Sequence, residues 1–330
     1  EPIINLEIRL GFTHRGAEKA FEGKGAEAVR LAECVSGDAA FAHSLAFCRA
    51  LEKIYGLRIP ARAQVLRAVF LELERLYNHA ADMGGIAVDV GFSFPAALAQ
   101  TMKENIQRLS AGLTGSRFLK GLNVCGGVTV DIGTEKMPML LDALRSVEAD
   151  FFRLKDILLS SVSFMDRVDS TGVLKKKTAQ DLGITGLAAR ASGIDRDLRL
   201  DFLDPAYEMA GFKTACEQTG DVLARLKVRF QEFEESLRVI RALAEVLPDD
   251  ELRAEGPAKA GYALGYAEGW RGPALYWVRT DEKGLIDRCK VYDASSLNWQ
   301  GLAYCVLGDI IPDFPVCNKS FDLSYSGNDL

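Results

Sequence analysis

Leu66, Val69, Phe70, Leu73, Leu76, Tyr77 and Met83 recur every three or four residues. That period puts them on one face of a helix that starts after Pro60 and is expected to stop at Gly84-Gly85. Similar spacing predicts helices over Ala26 to Tyr55 and Pro138 to about Val168. Another runs from about Thr214 to Leu247, with Val222, Leu226, Phe233, Leu237, Ile240 and Leu247 on one side. Ser93 and Pro95 read as the cap and first turn of a helix reaching about Ala111. The glycine-rich stretch Leu119 to Gly133 interrupts the helices, and Thr171 to Arg199 is loop-rich. β signals are fewer. Leu6 to Phe12 is a strand candidate followed by a turn at Thr13-His14-Arg15-Gly16. Leu275 to Thr280 and Leu285 to Tyr292 read as a hairpin around Asp281-Glu282-Lys283-Gly284. Ser295 to Leu307 is expected to be the last helix, and the tail after Cys317 is polar. The pattern predicts a mostly α fold with small β elements near both ends, an α+β architecture. We expect a single domain over 1–330: a helical core over 1–250, with 251–330 packing back on it.

Composition narrows the functional classes. The 330 residues are 48% hydrophobic and 26% charged, ordinary for a globular protein. A net charge of -6 argues against nucleic acid as the main partner, because phosphate backbones need a basic footprint. No apolar run is long enough to span a bilayer. The start Glu1-Pro2-Ile3-Ile4 is neither an initiator methionine nor a signal peptide, so natural residues are expected before it. Seven cysteines are scattered without a C-x-x-C pair. That disfavours zinc ribbons and iron–sulfur binding by this chain alone, and fits buried free thiols in a reducing compartment.

Glu33 to Ser44 reads E-C-V-S-G-D-A-A-F-A-H-S. A C-x-x-C at a helix start presents two thiolates to one metal, and a histidine four residues on can hydrogen-bond to the second. Here Ser36 and Ala39 stand at the thiolate positions and His43 follows. By itself the stretch equally describes a small-residue helix with one core histidine. Asp313-Phe314-Pro315-Val316-Cys317-Asn318 has the outline of a second pair without the pair.

The order of further segments separates these readings. Gly11 to Glu18 (G-F-T-H-R-G-A-E) comes first, then Leu51 to Gly56 and Pro60-Ala61-Arg62-Ala63. Leu113 to Arg117, Gly186 to Gly193 and Glu268-Gly269-Trp270-Arg271-Gly272 follow. In this order they resemble the large subunit of nickel–iron hydrogenases over nearly the whole chain. The membrane-associated, energy-converting branch (the formate hydrogenlyase large-subunit type) and the hydrogenase-like quinone-site subunit of respiratory complex I have most in common with it.

The resemblance implies that fold, and a site where two cysteine pairs would hold nickel and iron. It puts the first pair on Ser36 and Ala39 and the second on Pro315 and Asn318. None is a soft-metal ligand, so no nickel–iron centre and no metal are expected. Gly37 stands where complex I carries a quinone-site tyrosine, and the hairpin histidine of that site would precede Glu1. Asp313 matches the acid that opens the second motif. Glu18 matches a proton-relay glutamate, against a surface pair with Arg15. Arg271 matches an arginine over the active site, against a salt bridge with Glu268 or Asp293. Asp38 is a candidate proton donor or metal contact, against a helix cap. Cys34 and Cys317 would meet as a residual soft site or redox pair, or else be inert. Arg117 and Arg190 would lie near the small subunit and tune its cluster. His79 is read as packed, and Lys175-Lys176-Lys177 as a solvated loop.

The expected role follows. The chain is read as a subunit of a membrane-associated NADH:quinone oxidoreductase-like or energy-converting hydrogenase-like complex, cytoplasmic and peripheral on the inner face of the membrane. It binds no cofactor itself. An iron–sulfur cluster in a small partner subunit delivers electrons to an acceptor, with quinone as the candidate, in the pocket of the two emptied motifs. Protons arrive through Glu18, Asp38 or His43. The alternatives are a hydrogenase-type enzyme with an atypical metal on Cys34, Cys317, Asp38 and His43, and a non-catalytic scaffold.

Overall fold

A computed structural model of the chain describes residues 1–133, 135–202 and 204–330. It is mainly helical. Two short helices, α1 (Ala17–Ala20) and α2 (Val29–Ala32), lead into α3 (Ala40–Tyr55), α4 (Ala61–Asp89) and α5 (Ser93–Thr114). A two-stranded ladder, β1 (Asn123–Val124) with β2 (Gly127–Val128), precedes α6 (Met137–Ser160) and α7 (Val162–Val168). Four short helices follow: α8 (Lys176–Asp181), α9 (Gly186–Ala191), α10 (Leu198–Asp201) and α11 (Pro205–Met209). They lead to the long α12 (Val222–Glu245). Then come β3 (Gly261–Glu268), β4 (Pro273–Thr280) and β5 (Ile286–Tyr292), an antiparallel sheet in that order. The chain closes with α13 (Ser295–Cys305), α14 (Phe314–Phe321) and α15 (Tyr325–Asp329).

The centre of the molecule is α4. Its apolar stripe from Leu66 to Met83 is buried, as the periodicity predicts. So are Arg67, Glu72, Glu74, Arg75, His79 and Asp82 on its other faces. A helix enclosed on all sides must pair its charges, and it does so below. The helix does not stop at Gly84-Gly85. A Cβ on Gly84 would lie 3.1 Å from the Ala99 Cβ of α5, and one on Gly85 would lie 2.7 Å from the Lys319 side chain of α14. These glycines are packing surfaces, and the helix continues to Asp89.

Other expectations shift for physical reasons. Ala26 to Tyr55 is not one helix: residues 33–39 form a turn-rich loop between α2 and α3. The first free amides of α3 are held by a carboxylate from α4, with Phe41 N and Ala42 N donating to Glu74 at 2.6 and 3.0 Å. The helix expected from Pro138 breaks at Ser161, whose hydroxyl caps α7. Leu6 to Phe12 is not a strand, having no ladder partner. Its segment is pinned by the chain's other end, where Asp329 accepts from Gly11 N at 2.8 Å and Thr13 N at 2.9 Å. The β4–β5 hairpin turns where expected, with Asp281 Oδ1 accepting from Lys283 N and Leu285 N at 2.9 Å. Its third strand, β3, was not anticipated. Gly261, Ala263, Gly265 and Ala267 give it little strand character. Its glycine serves close approach, since a Cβ on Gly265 would lie 2.0 Å from Ala46 O of α3.

Candidate active-site cleft

The loop between α2 and α3 carries Ser36, Gly37 and Asp38 to the C-terminal end of the chain. Ser36 is buried, and its Oγ lies 2.8 Å from both Asp38 Oδ1 and Ser324 Oγ. Arg271, in the turn between β3 and β4, grips Asp38 at both oxygens, 2.9 and 2.5 Å away. Its Nη1 stands 3.5 Å from Ser36 Oγ, and its Nε donates to the carbonyl of Asp322. The guanidinium lies over the Trp270 ring at 3.9 Å. The loop is fixed from below by Asn78 Nδ2 and Trp270 Nε1, which donate to Asp38 O at 2.7 and 3.2 Å.

These groups open onto a polar cleft of about 590 Å³. Asp82, Gln100 and Lys103 line one side, and Lys319, Asp322, Ser324 and Ser326 the other. Burial alone would raise the Asp38 pKa, but the Arg271 charge and hydrogen bonds hold it well below the usual carboxylate range. Asp38 is therefore ionised. Asp82 behaves in the opposite way. Burial and the neighbouring Asp322 push its pKa well up, against the pull of Arg229 at 2.8 Å. Asp38 and Asp82 are thus shifted in opposite directions by their surroundings.

A buried ionic lattice positions Arg271. Arg75 donates to the carbonyls of Glu268 at 2.7 Å and Gly269 at 3.0 Å, and pairs with Glu72 at 3.0 Å. Arg190 binds Glu232 at 2.5 Å and Glu268 at 2.8 Å. Arg199 reaches Asp197 at 2.6 Å and Glu72 at 3.1 Å. His79 meets Glu232 at 2.7 Å and sets its ring edge-on to Trp270. Burial lowers the His79 pKa to about 4, so the ring is neutral. The sequence reading missed this lattice. The signal was available: Glu72, Arg75 and His79 fall three and four residues apart on an otherwise apolar helix.

The structure gathers some of the expected residues and separates others. Ser36, Asp38 and Arg271 meet, with Gly37 exposed beside them and open space where a side chain would project. Ala39 is buried just before α3. Asp313, Pro315 and Asn318 do not line the cleft. Asp313 pairs with Arg167 at 2.9 Å, Pro315 is exposed, and Asn318 sits on α14. The segment facing Ser36 is Asp322 to Gly327, which reads as a polar tail because it contains only one aspartate, two serines and a glycine around one tyrosine and one leucine. Glu18 binds Lys290 and Val291 N on β5, away from the cleft. His43 is buried behind it, with its ring nitrogens 3.0 Å from Tyr276 OH and Asp293 Oδ2. Arg117 pairs on the surface with Glu104 at 2.6 Å, while Arg190 is in the core. Cys34 is exposed and Cys317 is buried. Cys317 has Cys305 and Asp309 as neighbours, not Cys34.

The facing groups do not fit a nickel–iron centre. Where soft thiolates would converge there are two hydroxyls bonded to each other and a guanidinium beside them. Gly327 has no space for a ligand side chain, since a Cβ there would lie 2.7 Å from Asp293 Cγ. Among the described residues no group of three or more His, Cys, Asp or Glu is arranged to hold a metal ion.

Formate hydrogenlyase subunit 5 of Escherichia coli is 33% identical over the whole chain, which spans 58% of that protein's length. NADH-quinone oxidoreductase subunit 4 of Thermus thermophilus is 28% identical over 98% of the chain and 86% of its own length. The fold matches a chain of an archaeal respiratory membrane complex, the membrane-bound sulfane sulfur reductase. The TM-score is 0.92, with 24% identity, over the whole of this chain and 92% of that one. The family model for the respiratory-chain NADH dehydrogenase 49 Kd subunit matches residues 89–262, a little over half of the chain. The chain therefore belongs to the respiratory-chain NADH dehydrogenase 49 Kd subunit family.

Proposed function

We propose that this chain is a subunit of a complex I-like or energy-converting hydrogenase-like assembly, and that its cleft reduces an acceptor without nickel. Electrons come from an iron–sulfur cluster in a small partner subunit. The assembly sits peripherally on the cytoplasmic membrane face through other subunits. No described helix of this chain is long and apolar enough to cross a membrane.

One observation carries the reading: the Ser36 hydroxyl lies between Ser324, Asp38 and Arg271. A fixed guanidinium at that distance repels a cation and favours an electron-rich acceptor such as a quinone carbonyl. Of the groups expected to supply protons, only Asp38 faces the cleft, and it is ionised. Asp82 also lines the cleft, and burial beside Asp322 raises its pKa, the direction a proton donor needs. The open, polar cleft also suits catalysis better than a scaffold, which needs no such space.

The test is purification of the intact complex, with metal analysis beside parallel assays of quinone and proton reduction. Quinone reduction without stoichiometric nickel is expected. Stoichiometric nickel with hydrogen turnover would overturn the reading, and activity with neither acceptor would make the chain a scaffold.

A further inference from the structure

A second concavity lies at the C-terminal end of α3, the other end from Ser36. It is a groove of about 350 Å³ between the C-terminal half of α3, the loop that follows it and the segment leading into α11. Its charges do not balance. Four cations line it, Arg49, Lys53, Arg58 and Arg67, against two carboxylates, Glu52 and Asp204. Both carboxylates are already taken. Arg67 holds Glu52 at 2.6 and 3.0 Å, and Arg49 holds Asp204. Lys53 donates to Leu264 O at 2.8 Å but has no carboxylate partner among the described residues. Arg58 is exposed, with no side-chain partner among them.

The floor carries an independent sign of an absent partner. Arg67 is buried, and its Nη atoms serve Glu52, Val124 O and Gly127 O. Its Nε–H has no acceptor. A buried donor without an acceptor marks a place where a polar partner is missing. Burial and the Arg49 charge both press the Lys53 pKa down, as for a cation lacking a counter-charge.

The walls indicate what kind of anion fits. Tyr266 stands with its ring 4.4 Å from Lys53 Nζ and 4.4 Å from the Phe202 ring, and Phe202 is half-exposed. A bare ion would leave that aromatic wall uncovered. A carboxylate offers two oxygens, whereas a phosphate group offers three to several cations at once. We propose that this groove binds a phosphate ester, with the phosphate between Lys53 and Arg58 and an apolar or planar substituent against Phe202 and Tyr266. Its dimensions suit a small ligand or the headgroup of an anionic lipid.

The test uses the full chain and two kinds of probe. AMP and pyrophosphate report free phosphate compounds through a rise in Tm. Vesicles with and without phosphatidylglycerol report a lipid headgroup through co-sedimentation. Lys53→Gln and Arg58→Gln change exposed side chains, so the unliganded Tm should stay put. Each is expected to weaken the probe that binds by about tenfold or more, while Lys175→Gln changes nothing. Binding should also fade with added salt. Saturation by AMP identifies a soluble ester, vesicle binding without it identifies the headgroup, and saturation by pyrophosphate alone overturns the ester in favour of a bare phosphate anion. Two further results overturn the proposal: equal binding by the wild type and both variants, or no response to any probe. Carbodiimide coupling of Lys53 to a partner's carboxylate in the intact complex, with no probe response, would show the groove to be a protein contact.

Discussion

A single guanidinium organises the cleft, and a second one fixes it from behind. Arg271 binds Asp38, and Arg75 holds the carbonyls just before Arg271. Replacing Arg75 with methionine removes one cation from Glu72, which keeps Arg199, and leaves the buried carbonyls of Glu268 and Gly269 without their donor. We expect a loss of about 3–5 kcal/mol, read as a lower denaturation midpoint. Arg271→Lys keeps the charge but not the two-pronged grip. Acceptor reduction should fall on the order of a hundredfold, with the fold intact by circular dichroism. Glu74 makes a pH prediction. Burial raises its pKa to about 8 from the ordinary 4.5, despite the amides of Phe41 and Ala42. The folded state therefore binds a proton that the unfolded chain releases. Stability from this group is complete below pH 4.5 and declines as pH rises towards 8. Glu74→Gln should flatten that decline, measured by denaturation at several pH values across the window. No change in slope would refute the assignment.

At the scale of elements, glycine placement decides the packing more than glycine flexibility does. Gly265→Ala drives a methyl into the backbone of α3 at Ala46. We expect β3 to be displaced and stability to drop by about 3 kcal/mol, seen as a lower Tm. The same fact explains what was legible in the sequence. α4 and α12 were readable because burial follows the helical period, although α12 starts at Val222 and not near Thr214, and α5 was readable from its Ser93 and Pro95 start. The β4–β5 hairpin was readable because alternation and an Asp-containing turn coincide. β3 was not, because its small residues are chosen for contact with α3, a tertiary demand with no local period. Gly84-Gly85 misled for the same reason. At the cleft, Ser36, Asp38 and Arg271 were found through motif order. Asp322 to Gly327 was missed because without cysteines nothing separates it from an ordinary polar tail, and a proline-containing hexapeptide upstream resembled it more.

The whole molecule is closed by its ends. Asp329 takes hydrogen bonds from Gly11 and Thr13, His14 bonds Asp329 O at 2.7 Å, and Arg15 N donates to Leu330 O at 2.9 Å. Asp329→Ala should release the first segment. Limited proteolysis would then cut within residues 4–13 faster than in the wild type, and equal rates would refute the clasp. The closure also fixes a schedule. The wall carrying Asp38 is made early in synthesis, and the wall carrying Asp322 and Ser324 follows about 280 residues later. At ordinary translation speeds that gap lasts roughly a quarter of a minute to a minute. Throughout it the nascent chain has half a cleft, with Ser36 lacking its Ser324 partner and Arg271 added only late in the interval. A ribosome-bound chain stalled before residue 322 would therefore have the helical core but only one wall of the cleft.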